Sequence, residues 1–124
     1  MSARPPLALI VIGADPARLR AALALARAEV ALGSEARIFL QGEAAALLRP
    51  PVCAPQDAAW RAAGEPALAR MLDQALDDGV AISLCQSGLA MAGIDAGDID
   101  PRIEISGPIA FLAAAGPQIR LLTL

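Results

Sequence analysis

Apolar residues in this chain fall into short unbroken runs that alternate with amphipathic segments. Leu7–Ile12 is six apolar residues in a row, the pattern of a strand covered on both faces. Asp15-Pro16 then supplies a helix cap and a first helical proline. The spacing predicts a helix over 16–32, with Leu19, Leu23, Ala26 and Val30 on one stripe, Arg18, Arg20 and Arg27 outside it, and Gly33 as its stop. Ala36–Gln41 reads as a second strand, followed by a short Ala/Leu helix to about residue 48. Residues 49–64 carry Pro50, Pro51, Cys53, Pro55 and the single tryptophan, Trp60, without periodicity. They read as an irregular loop, of a length that in a compact domain is often functional or interfacial.

A second amphipathic helix is expected over 65–78, with Leu68, Leu72, Ala75 and Leu76 inward and Arg70, Asp73 and Asp77 outward. Gly79 closes it in a position suited to a left-handed backbone. Asp77 and Asp78 sit at its negative end, where the helix dipole disfavours them. Residues 80–84 read as the third strand, with Cys85 directly after it, and 86–92 as a short helix stopped by Gly93. A fourth strand over 102–105, a helix over Pro108–Ala115 and a fifth strand over 119–124 complete the chain. Strand and helix in regular alternation predict an α/β fold: one domain over 1–124, a three-layer α/β/α arrangement around a five-stranded, mainly parallel sheet.

Composition adds constraints. The 124 residues are 56% hydrophobic but only 2% aromatic, so Ala, Leu, Ile and Val must build the core. That is more apolar side chain than a small core hides, which favours a homo-oligomer. All ten cations are Arg and the net charge is −3, so the basic footprint of a nucleic-acid binder is missing. With no His there is no Cys–His or Ser–His dyad and no imidazole metal site; with no Lys there is no Schiff base and no phosphate-loop lysine. No metal and no cofactor is expected. The run Leu7–Ile12 is too short for a secretory core segment and no stretch approaches the roughly 20 apolar residues of a membrane span, so a cytoplasmic protein without a membrane partner is expected. In that compartment Cys53 and Cys85 read as free thiols.

Cys85 is the candidate for chemistry. Reactive groups in open parallel sheets gather at the carboxyl ends of strands. Backbone N–H groups of Gln86, Ser87 and Gly88 are placed to face its sulfur and favour a thiolate, and Gly88 would leave room for a substrate or partner sulfur. A cysteine at a strand end is more often an ordinary packing residue, and position alone favours that reading over a reactive thiol. Cys53, in a Pro-flanked loop with no dipole and no fixed cation, reads as incidental. Several chemistries are excluded. A Cys-x5-Arg phosphatase loop would need Arg where Met91 stands, and a rhodanese-like anion loop likewise finds no cation. Cys-x-x-Cys redox chemistry fails at Gly88, and Gly13-Ala14-Asp15-Pro16 lacks the glycines of a dinucleotide loop. A phospho-receiver would need an Asp ending the third strand, and a lysine. A lone thiol with backbone donors remains.

The chain resembles the DsrE/DsrF-like family of small sulfur-relay proteins almost end to end. The resemblance is carried by Asp15-Pro16, Ala31-Leu32-Gly33, Phe39-Leu40-Gln41-Gly42-Glu43 and Asp77-Asp78-Gly79-Val80. Ile82-Ser83-Leu84-Cys85-Gln86-Ser87-Gly88, Ala92-Gly93 and Ile105-Ser106-Gly107 continue it in the same order. It implies a three-layer sheet, homo- or hetero-oligomers (trimer and hexamer among them), and a sulfur-carrying cysteine that maps onto Cys85, exchanging with a donor or acceptor protein. Some members have arginines just beyond that cysteine where this chain has Leu89-Ala90-Met91. Three functions follow: a sulfur carrier of sulfurtransferase type with a persulfide on Cys85; a non-catalytic oligomeric binding or scaffold subunit in which Cys85 is packed; and a peroxide sensor with Cys53 as resolving thiol.

Overall fold

The computed structural model describes residues 4–124, so the start of the N-terminal stretch lies outside the described residues. Leu7–Ile12 forms β1, Pro16–Ala31 forms α1 behind the Asp15 cap, and Ala36–Gln41 forms β2. Gly42–Leu48 is a 3₁₀ segment. It is followed by α2 (Asp57–Ala62), α3 (Leu68–Asp77), β3 (Ala81–Cys85) and α4 (Gln86–Met91). β4 (Glu104–Ser106), α5 (Pro108–Ala115) and β5 (Arg120–Thr123) complete the fold. All strand pairs are parallel, in the order β4-β3-β2-β1-β5. No helix among the described residues is long and apolar enough to cross a membrane.

Strand order determines where the helices lie. The first three crossovers step the same way across the sheet, and the right-handed rule puts their helices on one face. The last crossover returns from β4 to β5 over three strands, so α5 lies on the opposite face. The side chains follow. Leu9, Val11, Ile38, Leu40, Ile82 and Leu84 pack with Leu19 and Leu23 of α1, Leu68 and Leu72 of α3 and Leu89 of α4 in one large core. The other face holds a small cluster of Ala8, Phe39 and Cys85 with Phe111 of α5. The expected three layers are present but unequal: among the described residues one side has α1 to α4, the other α5.

The stretch expected to be irregular contains α2. Three prolines and an Ala-rich sequence hide it from periodicity, and tertiary contacts hold it. The buried Asp57 carboxylate accepts the N–H of Ala54 at 2.9 Å and of Leu68 at 3.0 Å. Those two N–H bonds keep Asp57 below the usual carboxylate range, in spite of its burial. The Arg20 guanidinium lies 3.8 Å from the centroid of Trp60 and donates to the Pro66 carbonyl at 2.8 Å, pinning α2 to α1. The next helix accordingly begins at Leu68, later than its sequence pattern suggests. The two helix-end aspartates also have partners. Asp78 meets Arg27 at 2.7 Å and Asp77 meets Arg102 at 3.1 Å, and Arg102 also bridges Asp73 and Asp100, both at 2.8 Å.

Glu29 is the other buried polar anchor. It projects from α1 to Arg4 at 2.8 Å and to Arg120 of β5 at 2.6 Å, tying the segment before β1 and the edge strand to one helix. Hydrogen bonds from Arg4 and then Arg120 lower its pKa to about 2. Because the folded value lies below the ordinary value of roughly 4.3, this carboxylate supports the fold above that pH and stops doing so as the pH falls towards 2. Glu29→Gln is expected to lower the urea midpoint at neutral pH and to flatten the loss of stability between about pH 4 and pH 2. Urea titrations of both proteins across that range check this.

Candidate thiol site at the carboxyl edge of the sheet

Cys85 is the last residue of β3 and lies opposite Ser106, the last residue of β4. From these neighbouring strands the chain leaves in opposite directions, into α4 on the crowded face and α5 on the sparse one. Both strands end at the carboxyl edge of the sheet, the edge at which open parallel sheets place their ligands. The alternation of β3 sends Ile82 and Leu84 into the large core and Cys85 to the α5 face, where it is 4% exposed.

The sulfur sits between two backbone turns. Cys85 is the N-cap residue of α4, and an N-cap side chain faces the second and third helical N–H groups. These belong to Ser87 and Gly88, and both are directed at the sulfur. The N–H of Gln86 does not join them: it is the first helical residue, and its side is exposed. A third donor comes from Gly42, which follows β2 with φ +55°. No side-chain cap hydrogen bond is completed, so the three N–H groups act on the sulfur as oriented dipoles. Burial, the largest single influence, pushes the thiol up; Gly88, Gly42 and Ser87 together outweigh it and hold the pKa below that of an ordinary cysteine.

Gly88 has a different role from the one its size suggests. A Cβ there would run into the carbonyl oxygen of Gly42 and lie 2.7 Å from its carbonyl carbon and 3.1 Å from Cβ of Ala45. The bare Cα faces the turn after β2 and leaves no space for an incoming sulfur. It lets α4 approach closely enough for Gly42 and Gly88 to share one sulfur. Gly42 itself escapes sequence reasoning because it is 43 residues from Cys85; the only local sign is a glycine directly after a neighbouring parallel strand.

Cys53 is exposed, and both cysteines are free. The segment that carries it builds a separate cavity of about 260 Å³ against Ala17, Ala21 and Ala24 of α1, with Trp60 as one wall. Cys85 does not line this cavity, so the structure brings Ser87, Gly88 and Gly42 to the thiol but not the 49–64 segment.

Gly88→Ala must push α4 away from rigid backbone. It is expected to cost about 3 kcal/mol of stability and to move the pH midpoint of Cys85 alkylation up towards the value of roughly 8.5 for a free cysteine. Denaturant titration and peptide-level alkylation rates against pH measure the two effects.

Two solved structures share the architecture. The ychN protein of E. coli is 21% identical with a TM-score of 0.66, covering 96% of this chain and 99% of that one. MTH1491 from Methanobacterium thermoautotrophicum, a protein of unknown function, is 11% identical with a TM-score of 0.71, covering 98% of this chain and all of its own. At these identities the likeness is one of fold. No protein of curated function matches the sequence. The sequence profile of the DsrE/DsrF-like family matches residues 7–124, nearly the whole chain, and the chain belongs to that family.

Proposed function

We propose that this protein is a sulfur carrier that holds a persulfide on Cys85. The observation that carries the reading is the place of Cys85, the last residue of β3 and the N-cap of α4, where the Gly88, Gly42 and Ser87 amides lower its pKa against burial. The Cys85 thiolate attacks the outer sulfur of a donor persulfide. A new S–S bond forms at Cys85, the donor's S–S bond breaks, and the donor leaves as a thiolate; no net oxidation occurs. The reverse attack, by an acceptor thiolate on the outer sulfur, returns Cys85 to a thiolate that the same three dipoles stabilise. With neither His nor Lys in the chain, backbone donors are the means of activation. A reducing, cytoplasmic setting keeps both thiols free for this work.

Incubation of the reduced protein with a persulfide donor is expected to add one sulfur to the intact mass, located at Cys85 and missing in Cys85→Ser. No addition with any donor would overturn the carrier reading. The burial of Cys85 favours a second reading, a scaffold subunit in which the thiol only fills space. That reading expects no sulfur uptake and a pH midpoint of alkylation at or above the ordinary value.

We also propose a homo-oligomer, assembled through the β5 edge. Leu121 and Leu122 of that strand are 50% and 44% exposed, and Ile12 of the neighbouring β1 is 46% exposed. The opposite edge, β4, is three residues long and carries the exposed Glu104, features that discourage pairing. Sedimentation at micromolar concentration is expected to give a mass above that of one chain, and Leu121→Glu to return it to the monomer.

A further inference from the structure

If Cys85 exchanges sulfur with another molecule, as proposed above, its 4% exposure leaves the route of access to be explained. The Gly42 and Gly88 side of the sulfur is closed by backbone. The opposite side is the sparse face, where Cys85 shares a buried cluster with Ala8, Phe39 and Phe111. We propose that α5 is a hinged lid over Cys85, held shut by the Phe111 ring on Phe39, and that its opening admits the sulfur donor and acceptor.

The hold on α5 is slight. Of its eight residues only Phe111 is buried, against five buried residues in α1 and four in α3. The Phe111 and Phe39 rings stack with centroids 5.0 Å apart and planes 25° from parallel. All eight residues are apolar, so no side-chain hydrogen bond or ion pair can add to this contact. Beneath the helix, Ala110, Phe111 and Ala114 share a cavity of about 60 Å³ with Arg37, Ser83 and Glu104, so its underside is incompletely filled. The helix is joined to the sheet through Gly107 before it and Gly116 after it, the latter at φ +82°. Glycine gives each junction a wide choice of backbone angles. An element with few buried contacts and flexible ends opens at a lower free energy than the core it covers.

Outward, Ile109 is 86% and Leu112 51% exposed, so in the closed state the helix already shows a partner an apolar surface beside the thiol it covers. Arrival of a partner and release of the lid would then be coupled, and a thiol awaiting a partner would be shielded from peroxide and small disulfides.

The test pairs iodoacetamide labelling of Cys85, read by peptide mass with Cys53 as an exposed internal reference, with amide hydrogen exchange of the same protein. In the wild type, the slowing of Cys85 alkylation is expected to equal the protection of the α5 amides and to fall well below the protection of β1 and β2. Phe111→Ala is expected to raise the Cys85 rate by about 30-fold or more while leaving Cys53 unchanged. Cys85 protected as strongly as the β1 and β2 amides, or a rate unmoved in a folded Phe111→Ala, would overturn the lid. If that variant does not fold, the wild-type comparison alone decides. Labelling needs no persulfide, so the two ideas fail separately. Lid behaviour without sulfur uptake defeats the carrier, and sulfur uptake with core-like protection of Cys85 defeats the lid.

Discussion

A side chain at position 88 would occupy the space of the Gly42 carbonyl, and the arrangement around the thiol depends on that space being left free. With a bare Cα, α4 lies directly against the turn leaving β2, and the N–H groups of both elements reach the sulfur of Cys85. Close approach also closes that side of the sulfur to any visitor. The contact therefore does two things at once: it lowers the thiol's pKa against the effect of burial, and it leaves the α5 face as the remaining direction of access.

That face is thin for a topological reason. Three crossovers in one direction load α1 to α4 onto one side of the sheet, and the single return crossover puts α5 on the other. Most of the hydrophobic stabilisation is therefore gathered away from the thiol, in a core that needs no aromatic ring because alanines let helix and sheet pack closely. Two of the chain's three aromatic residues are placed instead on the sparse side, stacked on one another beside Cys85. The thiol thus lies on the loosely covered side of the sheet, away from the larger core.

Charged side chains hold the periphery. Glu29 between Arg4 and Arg120 secures the edge strand, Arg102 gathers Asp73, Asp77 and Asp100 at the far edge, and Arg27 meets Asp78. The forked guanidinium can serve two or three acceptors at once, which makes a chain with ten arginines and no lysine well suited to such clamps. The surface pairs contribute little individually. Their effect is to place segment ends, including the end of α3, where the helix dipole alone would disfavour acidic residues.

Hydrophobic periodicity by itself determined the α/β class, the five strands to within a residue or two, the stripes of α1 and α3, and the place of Cys85 at a strand end. These are local properties, written in the spacing of apolar residues and in Asp15-Pro16, Gly33 and Gly79. Tertiary structure alone decided the rest. α2 is held by Asp57 and Arg20 rather than by its own pattern, and Asp77 and Asp78 find arginines distant in sequence. The third donor to the sulfur comes from Gly42 in place of Gln86, because an N-cap side chain faces the second and third helical N–H and a neighbouring strand delivers the other. Strand order, which no single segment encodes, set β3 beside β4 and left α5 alone on its face. Periodicity reports which side of an element is buried, but the partner that buries it is chosen only when the crossovers are laid across the sheet.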